Sequence, residues 1–111
     1  MAYITYNIMQ YSLDIYERQP DLLMTRLAQN CKARRLEKGL SRNTLAAKCG
    51  VPAPTIERFE RTGKISLESF CRIAVEFDYF DELSAILSRT KYSTSEELES
   101  INRNRTRIKG R

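Results

Sequence analysis

Around Ile56 and Phe59, which form an i, i+3 apolar pair, the opposite side of the same pattern shows Pro54, Arg58 and Arg61 at i, i+4, i+7, with Thr55 and Glu57 alongside. A planar guanidinium can hold two acceptors at once, on a phosphate or on the edge of a guanine, and a carboxylate can accept from an amino group or orient a neighbouring arginine. Side chains of these types are therefore suited to a polyanion. The bland alternative is a solvated charged face.

The distribution of charge favours the first reading. Formal charge is +5 overall, but residues 24–64 carry ten basic and three acidic side chains, residues 65–100 three and eight, and residues 101–111 five and none. Solvation alone would not segregate charge into a basic block, an acidic block and a basic tail, whereas a polyanion-binding face does. Catalysis has little to stand on: the chain has no histidine, the commonest general base, and shows no paired-carboxylate motif or phosphate loop. Its three cysteines, Cys31, Cys49 and Cys71, form no CxxC pair and fall at apolar positions of helical patterns, so they read as small buried thiols. No cofactor, no metal site and no enzymatic activity are expected.

The elements that must position these residues are short helices. Asp21 to Lys38 keeps helical spacing through Leu23, Leu27, Cys31 and Leu36, with Ala28 and Ala33 beside them and Arg26, Lys32, Arg34 and Arg35 elsewhere on the surface; Gly39 stops it. Ser41 is an N-cap candidate for RNTLAAKC, which would bury Leu45, Ala46 and Cys49 before Gly50. A third helix is expected to begin at Pro54, because a proline tolerates the first turn but pushes Ala53 away from the α region, and to halt near Gly63. Ser66 caps a fourth with Leu67, Phe70, Ile73, Ala74 and Phe77 inward. Asp78 caps a fifth carrying Phe80, Leu83, Ile86 and Leu87. Together these predict a compact all-α domain over about 21–88.

Two extensions flank it, over 1–20 and 89–111. In residues 3–16, Ile4, Ile8, Tyr11 and Ile15 fit a helix, while Ile4, Tyr6, Ile8 and then Tyr11, Leu13, Ile15 fit two strands; in either case they must cover the domain or a partner subunit. At the other end Ser93 and Glu96 have capping-box spacing before Leu98 and Ile101, suggesting a short helix. The remainder, with Arg103, Arg105, Arg107, Lys109 and Arg111, has too little apolar content to fold alone and reads as an arm for nucleic acid, the alternatives being a docking strand or helix for a protein partner, a membrane-surface patch or a solubilising end. The amino terminus lacks the basic start and unbroken apolar run of a secretory signal, and no segment approaches a membrane span. A cytoplasmic protein is expected.

Two short helices joined by a tight Gly50-Val51 turn have the layout of a helix-turn-helix. The stretch LSRNTLAAKCGVPAPTIERFERTG resembles that of the phage-repressor and Cro-like (XRE) regulators, at Leu40, Leu45, Ala46, Gly50, Val51, Thr55, Ile56, Glu60 and Gly63. The resemblance implies a lambda-repressor-like five-helix DNA-binding domain, and a regulator that binds an inverted repeat of double-stranded DNA as a homodimer, with no role at a membrane. It places Arg42 where the family usually has a phosphate-binding glutamine, makes Asn43, Arg61 and Lys64 candidate phosphate contacts, and pairs Arg35 with Glu60 in a structural salt bridge. Ala53 and Pro54 stand at positions that often carry polar base-reading groups. Here they offer only apolar contact, which shifts readout to Thr55, Glu57 and Arg58. Residues 59–87, FERTGKISLESFCRIAVEFDYFDELSAIL, resemble more narrowly a HipB-like subgroup encoded beside HipA-type kinase toxins, implying an antitoxin and autorepressor. The competing reading is a module that masks a protein partner, with DNA binding incidental.

Overall fold

The computed structural model describes residues 18–107; the apolar residues of 3–16 and the tail residues Lys109 and Arg111 lie outside them. The described residues form α1 (Pro20–Glu37), α2 (Arg42–Cys49), α3 (Ala53–Thr62), α4 (Leu67–Glu76), α5 (Phe80–Ala85) and α6 (Ser95–Arg105), with no strand among them. The first five helices follow one another through links of three or four residues.

Local chemistry explains the boundaries. Ser41 and Ser66 accept from the backbone N–H groups of Thr44 and Ser69 at 3.0 and 3.1 Å, each satisfying a donor with no intrahelical partner. Gly50 and Gly63 close α2 and α3 in the left-handed conformation, with φ of 75° and 79°. Gly63 has a second reason to be glycine: a Cβ there would stand 3.0 Å from the Thr25 amide nitrogen and 3.1 Å from the Met24 carbonyl carbon of α1. The end of α3 thus rests directly on the α1 backbone.

The core gathers where α1 to α4 meet, around Ala28, Leu45, Val51, Ile56, Phe59, Ile73 and Phe77. Phe59 and Phe70 pack edge to face with centroids 6.0 Å apart, the favoured arrangement of two rings. Cys49 is buried, and Cys31 and Cys71 are half-buried. Burial pushes the Cys31 thiol up to about 11, helped by the negative charge of Glu60, so it stays a neutral packing group.

Several expectations need correction. On α1 the leucine stripe does not face inward, since Leu23 and Leu36 are 51% and 57% exposed; Ala28 and Arg35 are the buried residues instead, so Arg35 does not lie on the surface. The α3 helix begins one residue earlier, with Ala53 inside it and Pro52 at the cap. Pro54 is then the second helical residue, still within the turn whose N–H groups lack partners. Leu67, meant to face inward on α4, is exposed, as is Phe80 of α5, and α5 ends at Ala85, leaving Ile86 and Leu87 beyond it and exposed as well. Asp78 does not cap α5: it sits in the left-handed region at φ 67°, and Tyr79 takes the cap position without a side-chain bond. The cap of α6 is Thr94, with Glu97 rather than Glu96 in the reciprocal role: Thr94 Oγ1 accepts from the Glu97 amide at 3.1 Å, and a Glu97 carboxylate oxygen accepts from Ser93 N at 2.9 Å. That α6 runs to Arg105 also makes Arg103 and Arg105 helical rather than part of an unstructured arm.

Candidate nucleic-acid interface

The first turns of α2 and α3 open onto one hollow of about 550 Å³, lined by Arg42 and Asn43 from α2, Ala53, Pro54 and Glu57 from α3, and the edges of Arg35 and Ser41. Five of the nine residues assigned to DNA contact are therefore brought together here. Thr55 is half-buried on α3, whereas Arg58 and Arg61 are exposed along it and Lys64 is exposed just beyond its end. Arg103 and Arg105 lie on α6 and Arg107 follows it; Arg105 Nη2 donates to Thr90 Oγ1 at 3.5 Å, and no hydrogen bond or ion pair joins these residues to α2 or α3.

Behind the hollow a single carboxylate ties three elements. Arg35 of α1 donates from Nε and Nη2 to the two oxygens of Glu60 at 2.7 and 3.0 Å, and from Nη1 to the Leu40 carbonyl at 2.9 Å. Such a fork fixes both position and plane of the guanidinium. Arg42 of α2 donates from Nε to Glu60 Oε1 at 2.9 Å. The Arg35 and Glu60 side chains are 7% and 3% exposed, while Arg42 retains 41%. Burial works to raise the Glu60 carboxyl, but hydrogen bonds and charge from Arg35 and Arg42 outweigh it and hold the group below the ordinary carboxylate value. An ionised Glu60 with two arginines leaves one net positive charge at the cluster, and the exposed part of Arg42 faces the hollow.

The Arg42–Glu60 bond is a feature that sequence reasoning missed. The signal was present, because an arginine at the first position of α2 offers a second donor to a carboxylate already assigned to Arg35. On α3, Arg61 Nε donates to Glu57 Oε1 at 3.0 Å, a pair on one helix face with both side chains substantially exposed. Pairs of this kind contribute little to stability, roughly 0.3–0.5 kcal/mol, so both side chains stay available to a ligand. Arg58 is exposed and makes no ion pair with the described residues. Glycine at the end of α3 and proline near its start leave the helix short, with its polar face outward.

Among the described residues no group of three or more cysteine, aspartate or glutamate side chains is placed to hold a metal ion, and no helix is long and apolar enough to cross a membrane. Residues 32–79 match the family model described as helix-turn-helix, a span that contains α2, α3 and α4 entire. That match supports a DNA-binding helix-turn-helix built on α2 and α3. No curated protein and no solved structure matches the chain.

Proposed function

We propose that the protein regulates transcription by sequence-specific binding to an inverted DNA repeat as a homodimer, with α3 in the major groove and α2 across the sugar-phosphate backbone. The observation that carries this reading is the shared hollow, which sets Arg42 and Asn43 beside the start of α3 while Arg58 and Arg61 stand exposed farther along it. Arg42 and Asn43, with Arg61 and Lys64 at the far edge, take phosphates. Arg58 reads a guanine through O6 and N7, Thr55 and Glu57 add polar contacts, and Ala53 and Pro54 offer an apolar surface to a thymine methyl. Arg103, Arg105 and Arg107, with Lys109 and Arg111 beyond them, add charge that follows the backbone.

The narrower role is that of autorepressor and antitoxin beside a HipA-type kinase toxin, supported by the resemblance of residues 59–87. The exposed apolar residues Phe80 of α5 and Ile86 and Leu87 just after it favour a protein contact in addition to DNA. If that contact alone mattered, reversing the charge of Arg42 and Arg58 together would abolish DNA binding and leave the biological effect intact.

The test is selection of bound duplexes from a random pool, followed by titration at several salt concentrations. Arg58→Ala is expected to relax base preference at one position of each half-site, a loss of about 1–3 kcal/mol in discrimination. Arg42→Ala should weaken all sequences alike and reduce the salt slope by about one. Equal effects of the two changes would remove Arg58 from base readout.

A further inference from the structure

A hollow of about 460 Å³, separate from the one at the first turns of α2 and α3, lies between the carboxyl end of α2 and one face of α4. Two of the three cysteines open onto it: Cys49, the last residue of α2, and Cys71 in the middle of α4. Glu68, Arg72 and Val75 line it beside Cys71, because residues three and four apart on a helix share a face. We propose that Cys49 and Cys71 are a redox pair that a hydroperoxide converts to a disulfide, tying α2 to α4 and weakening the hold on DNA.

Three observations select these two thiols. The first is placement. α2 and α4 pack directly on each other, and the residues that follow the two cysteines also meet: Arg72 Nη1 stands 3.2 Å from where a Cβ on Gly50 would lie. The second is access. Cys71 is half-buried, open enough for a small oxidant, while Cys49 is 9% exposed and sheltered beside it, the arrangement of an attacking thiol and a resolving one. Lys48 and Arg72 balance Glu68 and Glu76 around the hollow, with Arg72 Nη2 donating to Glu68 Oε1 at 3.0 Å, so a thiolate there meets no net negative charge. The third is the contrast with Cys31, which opens onto a different hollow beside Leu27 and Phe70 and whose thiol is pushed up to about 11 by burial and by Glu60. Little of it is thiolate at neutral pH, and the thiolate is the nucleophile.

The chemistry balances at two electrons. The Cys71 thiolate attacks one oxygen of the hydroperoxide, the O–O bond breaks, the other oxygen leaves as an alcohol or water once protonated, and Cys71 becomes a sulfenic acid. The Cys49 sulfur, giving up its proton, then attacks the Cys71 sulfur; the S–O bond breaks and water leaves. An S–S bond of about 2.05 Å is far shorter than any non-bonded contact between sulfurs, so closing it draws the end of α2 toward α4 and shifts the Gly50-Val51 turn from which α3 starts. The effect on DNA rests on the reading in which α2 and α3 bind it together; formation of the disulfide does not.

The test treats the reduced full chain with a few equivalents of hydrogen peroxide and maps its thiols by mass spectrometry. Cys49 should be joined to Cys71 within one chain, in a yield unchanged over a hundredfold dilution and reversed by dithiothreitol, while Cys31 is recovered as a free thiol. Cys49→Ala should leave Cys71 as a sulfenic acid that dimedone traps. Duplexes selected by the reduced chain should bind the oxidised chain about tenfold or more weakly, the equivalent of one lost hydrogen bond to a charged group, and the Cys71→Ser chain should not respond to peroxide. Free thiols at both positions after treatment, a link to Cys31, or links that join two chains would overturn the pair. A linked chain that binds as tightly as the reduced one would overturn the switch. If the reduced chain binds no duplex, the reading of the protein as a DNA-binding regulator fails on its own, and the mapping still decides the pair.

Discussion

The α2–α3 pair and α5 lie in the same domain and were assembled from the same residue types, but they are finished differently. Leu45, Val51, Ile56 and Phe59 are each no more than 2% exposed, and both helices end on glycine in the left-handed region. The six residues of α5 bury none of their side chains fully, and the helix is bracketed by Asp78 and Leu87, two non-glycine residues at φ 67° and 64°. Aspartate tolerates that region; for leucine it costs about 1–2 kcal/mol. Helices this short are not stable alone, so α5 depends on its packing against α4. One unit closes on its own side chains, and the other leaves Phe80, Ile86 and Leu87 exposed.

That contrast can be broken at its firm end first. Phe59→Ala removes a ring from the centre of the core, and urea unfolding should register a loss of about 3–5 kcal/mol. Glu60→Gln comes next: it leaves Arg35 buried with its charge uncompensated, a loss of about 3 kcal/mol at neutral pH. The pH dependence has a definite sign. Because the folded carboxyl is held below its ordinary value, its contribution is present at neutral pH and is lost as pH falls through that value and on through the folded one. The gap between the native chain and Glu60→Gln should therefore narrow on acidification, and a gap that widened would contradict the ion-pair account. Gly63→Ala should cost about 2 kcal/mol, combining the left-handed conformation with crowding against the α1 backbone, and should be visible as a lowered thermal midpoint. The smallest effect has the opposite sign. Leu87→Gly relieves strain at a residue that is 97% exposed and should raise stability by up to about 1 kcal/mol, with no change if its conformation is set by a subunit contact.

Legibility in the sequence follows the same division. Helical periodicity located α2, α3 and α4 because their apolar residues face a core supplied by neighbours in sequence: Leu45, Ile56, Phe59, Ile73 and Phe77 all lie where the spacing puts them. It failed on α1, where counting only apolar residues selected Leu23 and Leu36 and passed over the buried position that Arg35 holds through its bonds to Glu60 and the Leu40 carbonyl. Apolar spacing cannot announce a buried arginine, because what permits its burial is a carboxylate 25 residues away. On α5 the pattern was apolar but the surface was not covered, since periodicity marks a face and not the partner that meets it. The hollow between α2 and α3 was legible as a motif, while the bond from Arg42 to Glu60 needed the fold.

Glu60 gives that bond a kinetic and entropic meaning. An arginine side chain carries about 2 kcal/mol of rotamer freedom, and a free one must surrender much of it when it grips a ligand. Because Glu60 Oε1 accepts the hydrogen bond from Arg42 Nε, part of that loss is incurred when the chain folds. On the proposed reading, in which Arg42 takes a phosphate, the guanidinium meets that group already oriented, so less ordering remains to be done in the encounter itself.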